Sequence, residues 1–570
     1  MSIVVAIGWN SSASAQPVSP GSLTEWVPGR LVIRARGPEA VQAMRAEIRS
    51  MGLPVIAQSR SGELCCVHVP IGFEEVLRQH FKSASWARWV TRDFSSRGGM
   101  EFNPPPSEMP QPSPGTPFPW QLHDLWFLQN SGQTITADVG PPQIGDPGAD
   151  IDVLQAWTRT QGDPGVLVAV LDSGIDQTLP EFAGRIYPHQ IVYACDLVSP
   201  PPPPPASPCN VVENQFHCCG VGGCAFGTIA SDTHGHGTAV ASVLAANVNN
   251  GLPGTLDGRQ FAGVDPRCTL VAARVTHANL FYMSQTLLAL QDIRDNPVFA
   301  DVRVINLSFQ GWQCPIEDED AQLSMDELHQ VVQQLYYRGV VIVTIAGNAD
   351  EEITNACPAL WPEVITVGAT DNQDNRIIES RFGAALDFVA PGWGMYVAIW
   401  NNPACNGGVA QYGRGTSAAA PIVAGIASLL FARADKLGIA LTPDMVYECL
   451  RVGAEPIGLP VHNNYHGWGR VNAYKSIMAL EDMYYDCPAD LTHGSTIGEW
   501  GYGVPDGTVD SQDLAYFSYW HGLGAVAIAD IAGTCPTSAD CETGGCSTPN
   551  GVVDPDDLTA YMCLYNAGCP

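Results

Sequence analysis

The chain has 570 residues, enough for three or four domains, and its 27 basic and 58 acidic side chains give a formal charge of −31. An acidic excess of this size opposes binding to nucleic acid and to anionic membranes, and it suits calcium. No apolar stretch reaches 18 residues, so no membrane span is predicted. The 18 cysteines, many of them clustered, indicate an oxidising compartment with disulfides, whose pairing the spacing leaves open.

The chain begins with a segment typical of export. The apolar stretch Ile3–Trp9 is followed by Ala13-Ser14-Ala15, a pattern of small residues typical of signal-peptidase sites. The basic residues that usually come first are missing, but secretion remains the better interpretation. Residues 1–15 are therefore predicted to be a signal peptide. The protein is predicted to be extracellular, either free or associated with the cell surface.

Residues 22–95 are predicted to form a small α+β unit. The pattern predicts strands and helices in alternation, at Leu31–Arg34, Pro38–Met51, Cys65–Pro70, Phe73–Phe81 and Ala87–Thr91. The segment 96–124 that follows is rich in proline and is predicted to be an exposed linker.

The first candidate catalytic side chain ends a buried strand. The continuous apolar run Val166–Leu171 is typical of a strand buried on both faces of a parallel sheet, and Asp172 follows it directly. Open α/β sheets keep their binding sites at such strand ends. The alternative is an aspartate that only forms the turn.

A long excursion separates this strand from the next candidate. It contains six consecutive prolines, Pro200–Pro205, and five cysteines, of which Cys218 and Cys219 stand beside His217. Disulfides are favoured over zinc there, because no CxxC pair with a matching second pair is present. His236 then opens a helical pattern in His-Gly-Thr, where it can act as a general base. His234 fits a solvated loop residue better.

The most informative segment reads Gly-Thr-Ser-Ala-Ala-Ala-Pro at 415–421. A small hydroxyl residue before strong helix formers places Ser417 at a helix start, where backbone N–H groups and the helix dipole favour an oxyanion. Pro421 is expected within the first helical turn, where a missing N–H costs little. Alone, Ser417 fits a helix cap as well as a nucleophile. A nucleophile needs a base and an orienting acid, which His236 and Asp172 supply.

These motifs, in this order, resemble those of the subtilisin-like (subtilase) serine proteases. The resemblance covers residues 125–480 and is carried by Val170–Gly174, His236–Thr238, Val304–Ser308, Ala346–Asn348, Asp387–Gly392, Gly415–Ser417 and Gly467–Asn472. It implies an α/β fold, with a mostly parallel sheet and helices on both faces. It also implies a secreted endopeptidase that acts on proteins and peptides and needs no cofactor for its chemistry.

The resemblance also assigns roles to individual residues. Asp172 orients His236, which acts as general base and then general acid, and Ser417 attacks the peptide carbonyl. Asn348 follows an apolar strand and matches the family's oxyanion-hole donor. The alternative for Asn348 is a residue of a tight Gly-Asn turn.

Five residues are expected to line the substrate cleft by the same resemblance: Ser308, Phe309, Gln310, Ala346 and Gly347. Gln310 replaces a glycine that is usual in the family, and Ile345 stands where a smaller residue is common. Because of both replacements, the sequence does not predict which substrate side chain is preferred next to the scissile bond.

The unit at 22–95 resembles the family's propeptide, which acts as an intramolecular chaperone and inhibitor. An unrelated accessory module is the alternative for this unit.

Residues 485–570 contain an internal repeat that matches the second half of a calcium loop. The repeated oxygen ligands are Asp506, Asp510 and Asp513 in the first copy and Asn550, Asp554 and Asp557 in the second. The pair resembles dockerin repeats, which form a small helical module, here with six cysteines, and would bind a cohesin-like or cell-surface partner. The early acids of each loop are missing, so Asp490 and Asp530 would have to supply them. Calcium is expected to be structural; Glu181 aligns with an aspartate that is a calcium ligand in the family.

Two rival functions remain open. A catalytically silent, calcium-dependent adhesion or scaffold protein could use the same fold, but it would need none of the intact Asp172, His236, Asn348 and Ser417. An esterase would use the same four residues, so sequence hardly separates it from a protease.

The residue after the nucleophile generates a first prediction. Relatives commonly carry methionine there, whereas this chain has Ala418. Because no thioether next to Ser417 can form a sulfoxide, activity is expected to survive peroxide that inactivates methionine-bearing relatives. Residual activity of the purified enzyme after peroxide treatment, with such a relative treated in parallel, is the measurement. Rapid inactivation would contradict the prediction.

Overall fold

The structure is a computed structural model. It describes residues 25–97, 101–103, 125–135, 142–193, 230, 232, 234–248, 262–277, 280–398, 410–458 and 462–486. Three predicted features lie outside these residues: the signal peptide, the excursion with Pro200–Pro205 and its cysteines, and the repeat module at 485–570 with all six proposed calcium ligands.

The N-terminal unit is an antiparallel sheet with two helices. Its elements are β1 (Glu25–Ala35), α1 (Val41–Ser50), β2 (Val55–Gln58), β3 (Leu64–His68), α2 (Glu74–Lys82) and β4 (Ala87–Arg97). The five predicted elements are all present, and β2 is an addition. The unit has its own apolar core, which includes Leu31, Met44 and Phe81. Strand β4 extends beyond the predicted strand, into the segment expected to be a linker.

The remaining elements follow in chain order. The strands are β5 (Glu101–Asn103), β6 (Thr134–Ile135), β7 (Gln143–Ile144), β8 (Leu167–Asp172), β9 (Ile191–Val192), β10 (Thr269–Arg274), β11 (Thr276–His277), β12 (Leu280–Tyr282), β13 (Val302–Leu307), β14 (Trp312–Gln313), β15 (Val341–Ile345), β16 (Ala356–Cys357), β17 (Val364–Thr370), β18 (Phe388–Pro391), β19 (Met395–Ala398) and β20 (Ala410–Arg414). The helices are α3 (Val153–Ala156), α4 (His236–Ala245), α5 (Met283–Asp295), α6 (Glu319–Tyr337), α7 (Thr416–Leu437), α8 (Pro443–Gly453) and α9 (Ala473–Asp486).

A seven-stranded parallel sheet forms the centre of the molecule, in the order β18-β17-β15-β13-β8-β10-β9. Both faces are covered, which explains why β8 reads as an unbroken apolar run. Val168 and Val170 belong to the core formed with α4, α7, α8 and α9, whereas Leu167, Ala169 and Leu171 belong to the core formed with α5 and α6. The predicted α/β class, with helices on both faces, is confirmed.

Helix α7 is the apolar centre of one layer. Among the described residues it is the one helix long and apolar enough to cross a membrane, but 94% of its apolar window is buried inside the protein. The sequence was expected to contain no apolar stretch of 18 residues, and α7 corrects that expectation. The helix is apolar because it is buried in the core of the protein. Pro421 is the sixth residue of α7 and lies beyond the first turn, so the expected position was wrong.

The cysteines within the described residues divide into two groups. Cys314 and Cys357 form a disulfide, which joins the segments after β13 and β15. Cys65, Cys66, Cys268 and Cys449 are buried thiols. A disulfide agrees with an oxidising compartment, and the four buried thiols show that clustering alone does not predict pairing.

A buried acid generates a prediction about pH. Asp387 is half-buried as a residue, but its carboxyl group is enclosed, accepting hydrogen bonds from the Thr366 amide at 2.7 Å and the Tyr447 hydroxyl at 3.0 Å. Burial raises the pKa of Asp387 from 3.8 to about 7. The folded state therefore binds this proton more tightly than the unfolded state, and stability falls as pH rises from about 4 to about 7.

Asp387→Asn keeps an acceptor for the Thr366 amide and removes the titration. The difference in unfolding free energy between pH 4.5 and pH 8 is expected to shrink by about 1–3 kcal/mol in the variant. Denaturant unfolding in the Ser417→Ala background, which prevents self-digestion, measures it. An unchanged pH dependence in the variant would show that Asp387 titrates normally.

Candidate active site

Asp172 and His236 meet at the carboxyl edge of the sheet. Asp172 is the last residue of β8 and His236 the first of α4, and neither is exposed to solvent. His236 Nδ1 lies 2.7 Å from Asp172 Oδ1, which also accepts the Ser173 amide at 2.7 Å. An ionised carboxylate only accepts, so Nδ1 carries the proton and Nε2 is left with the basic lone pair.

Asp232, which the sequence analysis missed, organises the turn that presents His236. One of its carboxylate oxygens accepts the Ser173 hydroxyl at 2.8 Å and the amides of His234 and Gly235 at 2.8 and 2.9 Å. The other oxygen accepts the Thr238 amide at 2.9 Å. Asp232 is 3% exposed and stands four residues before His236. An acidic residue just before a helical pattern is a capping signal that could have identified it.

Ser417 is the second residue of α7 and is fully buried. Its hydroxyl donates to the Ser308 carbonyl at 2.8 Å, and the Ser308 hydroxyl donates to the Ser417 carbonyl at 3.3 Å. The second bond has a clear cause. Pro421 has no N–H to donate to the Ser417 carbonyl, which would be its partner in a regular helix, and Ser308 supplies the missing donor.

Asn348 follows β15 and contacts the same helix start. Its side-chain oxygen accepts the Thr416 amide at 2.9 Å and the Thr416 hydroxyl at 2.7 Å. A backbone N–H can only donate, so this contact fixes which end of the side chain is the oxygen. The amide nitrogen of Asn348 is then the end of the side chain that can donate to an oxyanion.

The five expected cleft residues surround this centre unequally. Gln310 is partly exposed, whereas Ser308, Phe309, Ala346 and Gly347 are buried. The Phe309 ring stacks on Phe281 at 4.6 Å, and the Phe281 ring lies 6.0 Å from the His236 ring. A substrate contact from Phe309 would therefore come from its backbone. Ile345 is 1% exposed and belongs to the core.

Within the described ranges, no three His, Cys, Asp or Glu side chains converge to hold a metal ion. Glu181 is buried in a short helix, Pro180–Phe182, and the described residues do not place two further acidic, histidine or cysteine side chains around it. The described part of the chain therefore offers no calcium site of that kind, and the repeat ligands lie outside it.

Known proteins resemble the central part of this chain. The profile of the subtilase family (peptidase S8) matches residues 163–469, more than half of the chain. A thermophilic serine proteinase from Bacillus sp. (strain AK1) is 28% identical over 325 residues, covering 56% of this chain and 64% of its own length. Thermitase from Thermoactinomyces vulgaris is 26% identical over 351 residues, covering 62% of this chain and 99% of its own.

Among solved structures, fervidolysin from Fervidobacterium pennivorans superposes with a TM-score of 0.52 at 18% identity. The match covers 81% of this chain and 62% of fervidolysin, and it bears on the fold alone. The chain thus spans slightly less than two thirds of the thermophilic proteinase and of fervidolysin. The matched residues run from before β8 to beyond α8 and include the strands and helix starts described above, and the chain therefore belongs to the subtilase family of serine endopeptidases.

Proposed function

We propose that this protein is a secreted serine endopeptidase in which Asp172, His236 and Ser417 form the catalytic triad. The observation that carries the proposal is the fully enclosed 2.7 Å hydrogen bond between His236 and Asp172, at the sheet edge where the Ser417 helix also begins. A buried acid, an imidazole held in one tautomer and a serine at a helix start are the parts that acyl transfer needs.

The chemistry follows from these contacts. Before attack, the Ser417 hydroxyl has to turn its proton from the Ser308 carbonyl to Nε2 of His236. As Oγ bonds to the substrate carbonyl carbon, Nε2 takes that proton, and Asp172 stabilises the resulting imidazolium. His236 then gives the proton to the leaving amine, and water repeats the sequence to release the acyl group. No cofactor takes part in these steps.

Asn348 is proposed to stabilise the negative oxygen of the tetrahedral intermediate. Its oxygen is held by Thr416, the residue before the nucleophile, so its amide group is fixed relative to Ser417. The backbone N–H of Ser417, unpaired within α7 because it lies in the first turn, is the second proposed donor.

Two strand edges support polypeptides as the substrate class. The β12 edge, next to His236, pairs antiparallel with β4, and β20, which ends three residues before Ser417, pairs antiparallel with β5. Both edges thus accept an extended polypeptide through main-chain hydrogen bonds. An ester without a peptide backbone could not form them, which favours an endopeptidase over an esterase.

The N-terminal unit is proposed to be an inhibitory propeptide, expected at 22–95 and here described from Glu25 to Arg97. Asp93 accepts hydrogen bonds from the Ser284 hydroxyl at 2.8 Å and the Ser284 amide at 3.3 Å, at the start of α5. Arg30 stacks on the Tyr282 ring at 4.0 Å. These contacts cover the β12 edge, which a substrate would need.

Charge complementarity supports the same role. Residues 25–97 carry eleven Lys or Arg against seven Asp or Glu, a net charge of +4 in a chain of −31. Arg78 contacts Asp318 and Asp320, each at 3.2 Å, and Lys82 contacts Asp320 at 2.5 Å, all at the start of α6. Arg60 contacts Asp292 at 3.0 Å near the end of α5.

Export and the C-terminal module complete the proposal. The Cys314–Cys357 disulfide and the small-residue pattern at Ala13–Ala15 support secretion. Residues 125–480 would be the catalytic domain and 96–124 the connecting segment. The repeats at 485–570 remain a predicted calcium-binding, dockerin-like module for a cohesin-like or surface partner.

Ser417→Ala tests the reaction. The variant removes the nucleophile, so casein hydrolysis by the refolded chain is expected to fall by about 10⁴-fold or more, and the N-terminal unit is expected to stay attached. Gel electrophoresis of precursor and casein over time measures both.

Ser428→Ala is the matched control, because Ser428 lies in the same helix and donates to Asp265 at 2.6 Å, away from the triad. It should lower the melting temperature and retain cleavage. If the wild-type chain folds but leaves both precursor and casein intact, the protease proposal fails. Cleavage of a simple ester alone would favour the esterase.

Arg78→Met tests the propeptide. The variant keeps the apolar stem and loses the contacts to Asp318 and Asp320, so the N-terminal unit should dissociate more readily after cleavage. The lag before peptidase activity appears is expected to shorten about 3- to 10-fold, with a smaller response to 1 M NaCl than in the wild type.

Arg88→Met is the control, since Arg88 is exposed on the same unit and forms no ion pair among the described residues. An equal lag in the Arg78 and Arg88 variants would mean that the ion pairs at α6 do not hold the unit.

A further inference from the structure

The loop that carries Asn348 is held by one neighbouring segment. Residues 379–383 form a short ladder with residues 347–353, in which the Arg381 amide donates to the Gly347 carbonyl at 2.9 Å and the Asp350 amide to the Glu379 carbonyl at 3.1 Å. Further along, the Ile353 amide donates to the Phe382 carbonyl at 2.8 Å. The position of Asn348 therefore depends on a segment more than thirty residues later in the chain.

The side chain of Arg381 lies directly beneath this loop. It is 1% exposed and is one of the largest fully buried side chains among the described residues. Gly347 has φ +102°, and a Cβ there would come within 2.9 Å of the Arg381 Cδ. Glycine at 347 thus meets two demands, a left-handed backbone and close contact with the arginine stem.

The charge of Arg381 is only partly compensated. Its Nη2 contacts Glu351 Oε2 at 3.0 Å, in the same loop, but the Glu351 side chain is 55% exposed. Among the described residues, Nε and Nη1 are buried without a hydrogen-bond partner. Burial lowers the pKa of Arg381.

An apolar side chain would fill this space without that cost. Enclosing a guanidinium with two unpaired N–H groups is unfavourable, and such groups in native proteins need a reason. The position offers one, because the ion pair to Glu351 and the packing on Gly347 fix the loop on both sides of Asn348. A cation beneath the loop also favours the negative oxygen that Asn348 is proposed to bind.

We propose that Arg381 is a positioning residue of the oxyanion hole, which holds Gly347 and Glu351 so that the Asn348 amide faces the developing oxyanion. This inference rests on the proposed function of Asn348. It deepens that function by adding a buried cation, and its anchor on Glu351, to the residues on which transition-state binding depends.

A double-mutant cycle on the mature enzyme with a peptide substrate tests the coupling. Asn348→Ala is expected to lower kcat by about 10²–10³-fold with little change in KM. Arg381→Met, which keeps volume and removes charge, should lower kcat by about 10-fold with KM within about 2-fold, and Arg381→Lys should recover much of the loss. In the Asn348→Ala background, Arg381→Met should cost less than about 2-fold.

Two further variants keep the test decisive. Glu351→Gln removes the ion pair without disturbing packing and should lower kcat by about 2- to 3-fold, again only when Asn348 is present. Arg376→Met is the control, because the Arg376 guanidinium contacts Asp350 at 2.7 Å from the outer side of the same ladder. It should lower the melting temperature and leave kcat within about 2-fold.

The outcomes separate the two proposals. The inference about Arg381 fails if the kcat losses of Arg381→Met and Asn348→Ala simply multiply in the double variant. It also fails if Arg381→Met and Glu351→Gln both keep the wild-type kcat. Neither result affects the proposed role of Asn348. If Arg381→Met does not fold, Glu351→Gln and Arg381→Lys are each combined with Asn348→Ala in its place, and the same coupling is measured. A wild-type kcat in Asn348→Ala overturns the oxyanion role of Asn348 itself, and with it the inference.

Discussion

Two carboxylates, Asp172 and Asp232, are buried at the amino end of α4, and the geometry of the site depends on how the protein compensates their charge. They are connected through Ser173, whose amide donates to Asp172 and whose hydroxyl donates to Asp232. The first-turn N–H groups of α4, which have no partner within the helix, donate to the same place: the Thr238 amide to Asp232 and the Gly237 amide to the Ser173 hydroxyl. The positive end of the helix dipole lies there too. Among the described residues, His236 is the titratable base bonded to this pair, so the helix start and the proposed catalytic base are positioned by one electrostatic requirement.

Steric constraint acts with the charge. A Cβ at position 237 would overlap the Gly174 carbonyl and come within 3.1 Å of the Asp172 side chain. Glycine after His236 therefore allows the strand end and the helix start to approach. Only with this approach can a 2.7 Å bond form between two groups that are 64 residues apart in the chain. The His-Gly pair is thus a packing requirement as much as a sequence motif.

The parts of the site that could be predicted are those with a local cause. An apolar run predicts the strand that ends at Asp172, and helix-start patterns predict the positions of His236 and Ser417, because each depends on a few neighbouring residues. The parallel sheet then brings strand ends together, which is why the α/β class followed from the same patterns. Cleft residues were harder, since burial of the Phe309 side chain depends on Phe281 from another strand.

What could not be predicted has its partner far away in the chain. The Ser308 hydroxyl replaces the N–H that Pro421 lacks, and this exchange becomes visible only when β13 and α7 are placed side by side. The same holds for Arg381 under Gly347 and for the Cys314–Cys357 pair among 18 cysteines. The hydrophobic periodicity of the sequence does not predict such pairings. Many residues could serve as the partner, and their distance along the chain does not indicate which one does.

The charge distribution supports the proposal that the N-terminal unit inhibits the rest of the chain. Most of the negative charge lies outside residues 25–97, so a basic unit is attracted to the acidic remainder over its whole approach, and short contacts then fix its register. Register matters because β4 must pair with the β12 edge beside His236 and not elsewhere. If apolar packing alone held the N-terminal unit on the rest of the chain, the unit would stay bound as firmly after cleavage as before it. The ion pairs at α5 and α6 reach solvent through Arg60, Lys82 and Asp318. Salt and competing charges weaken such pairs, so they suit a contact that must form during folding and be lost later.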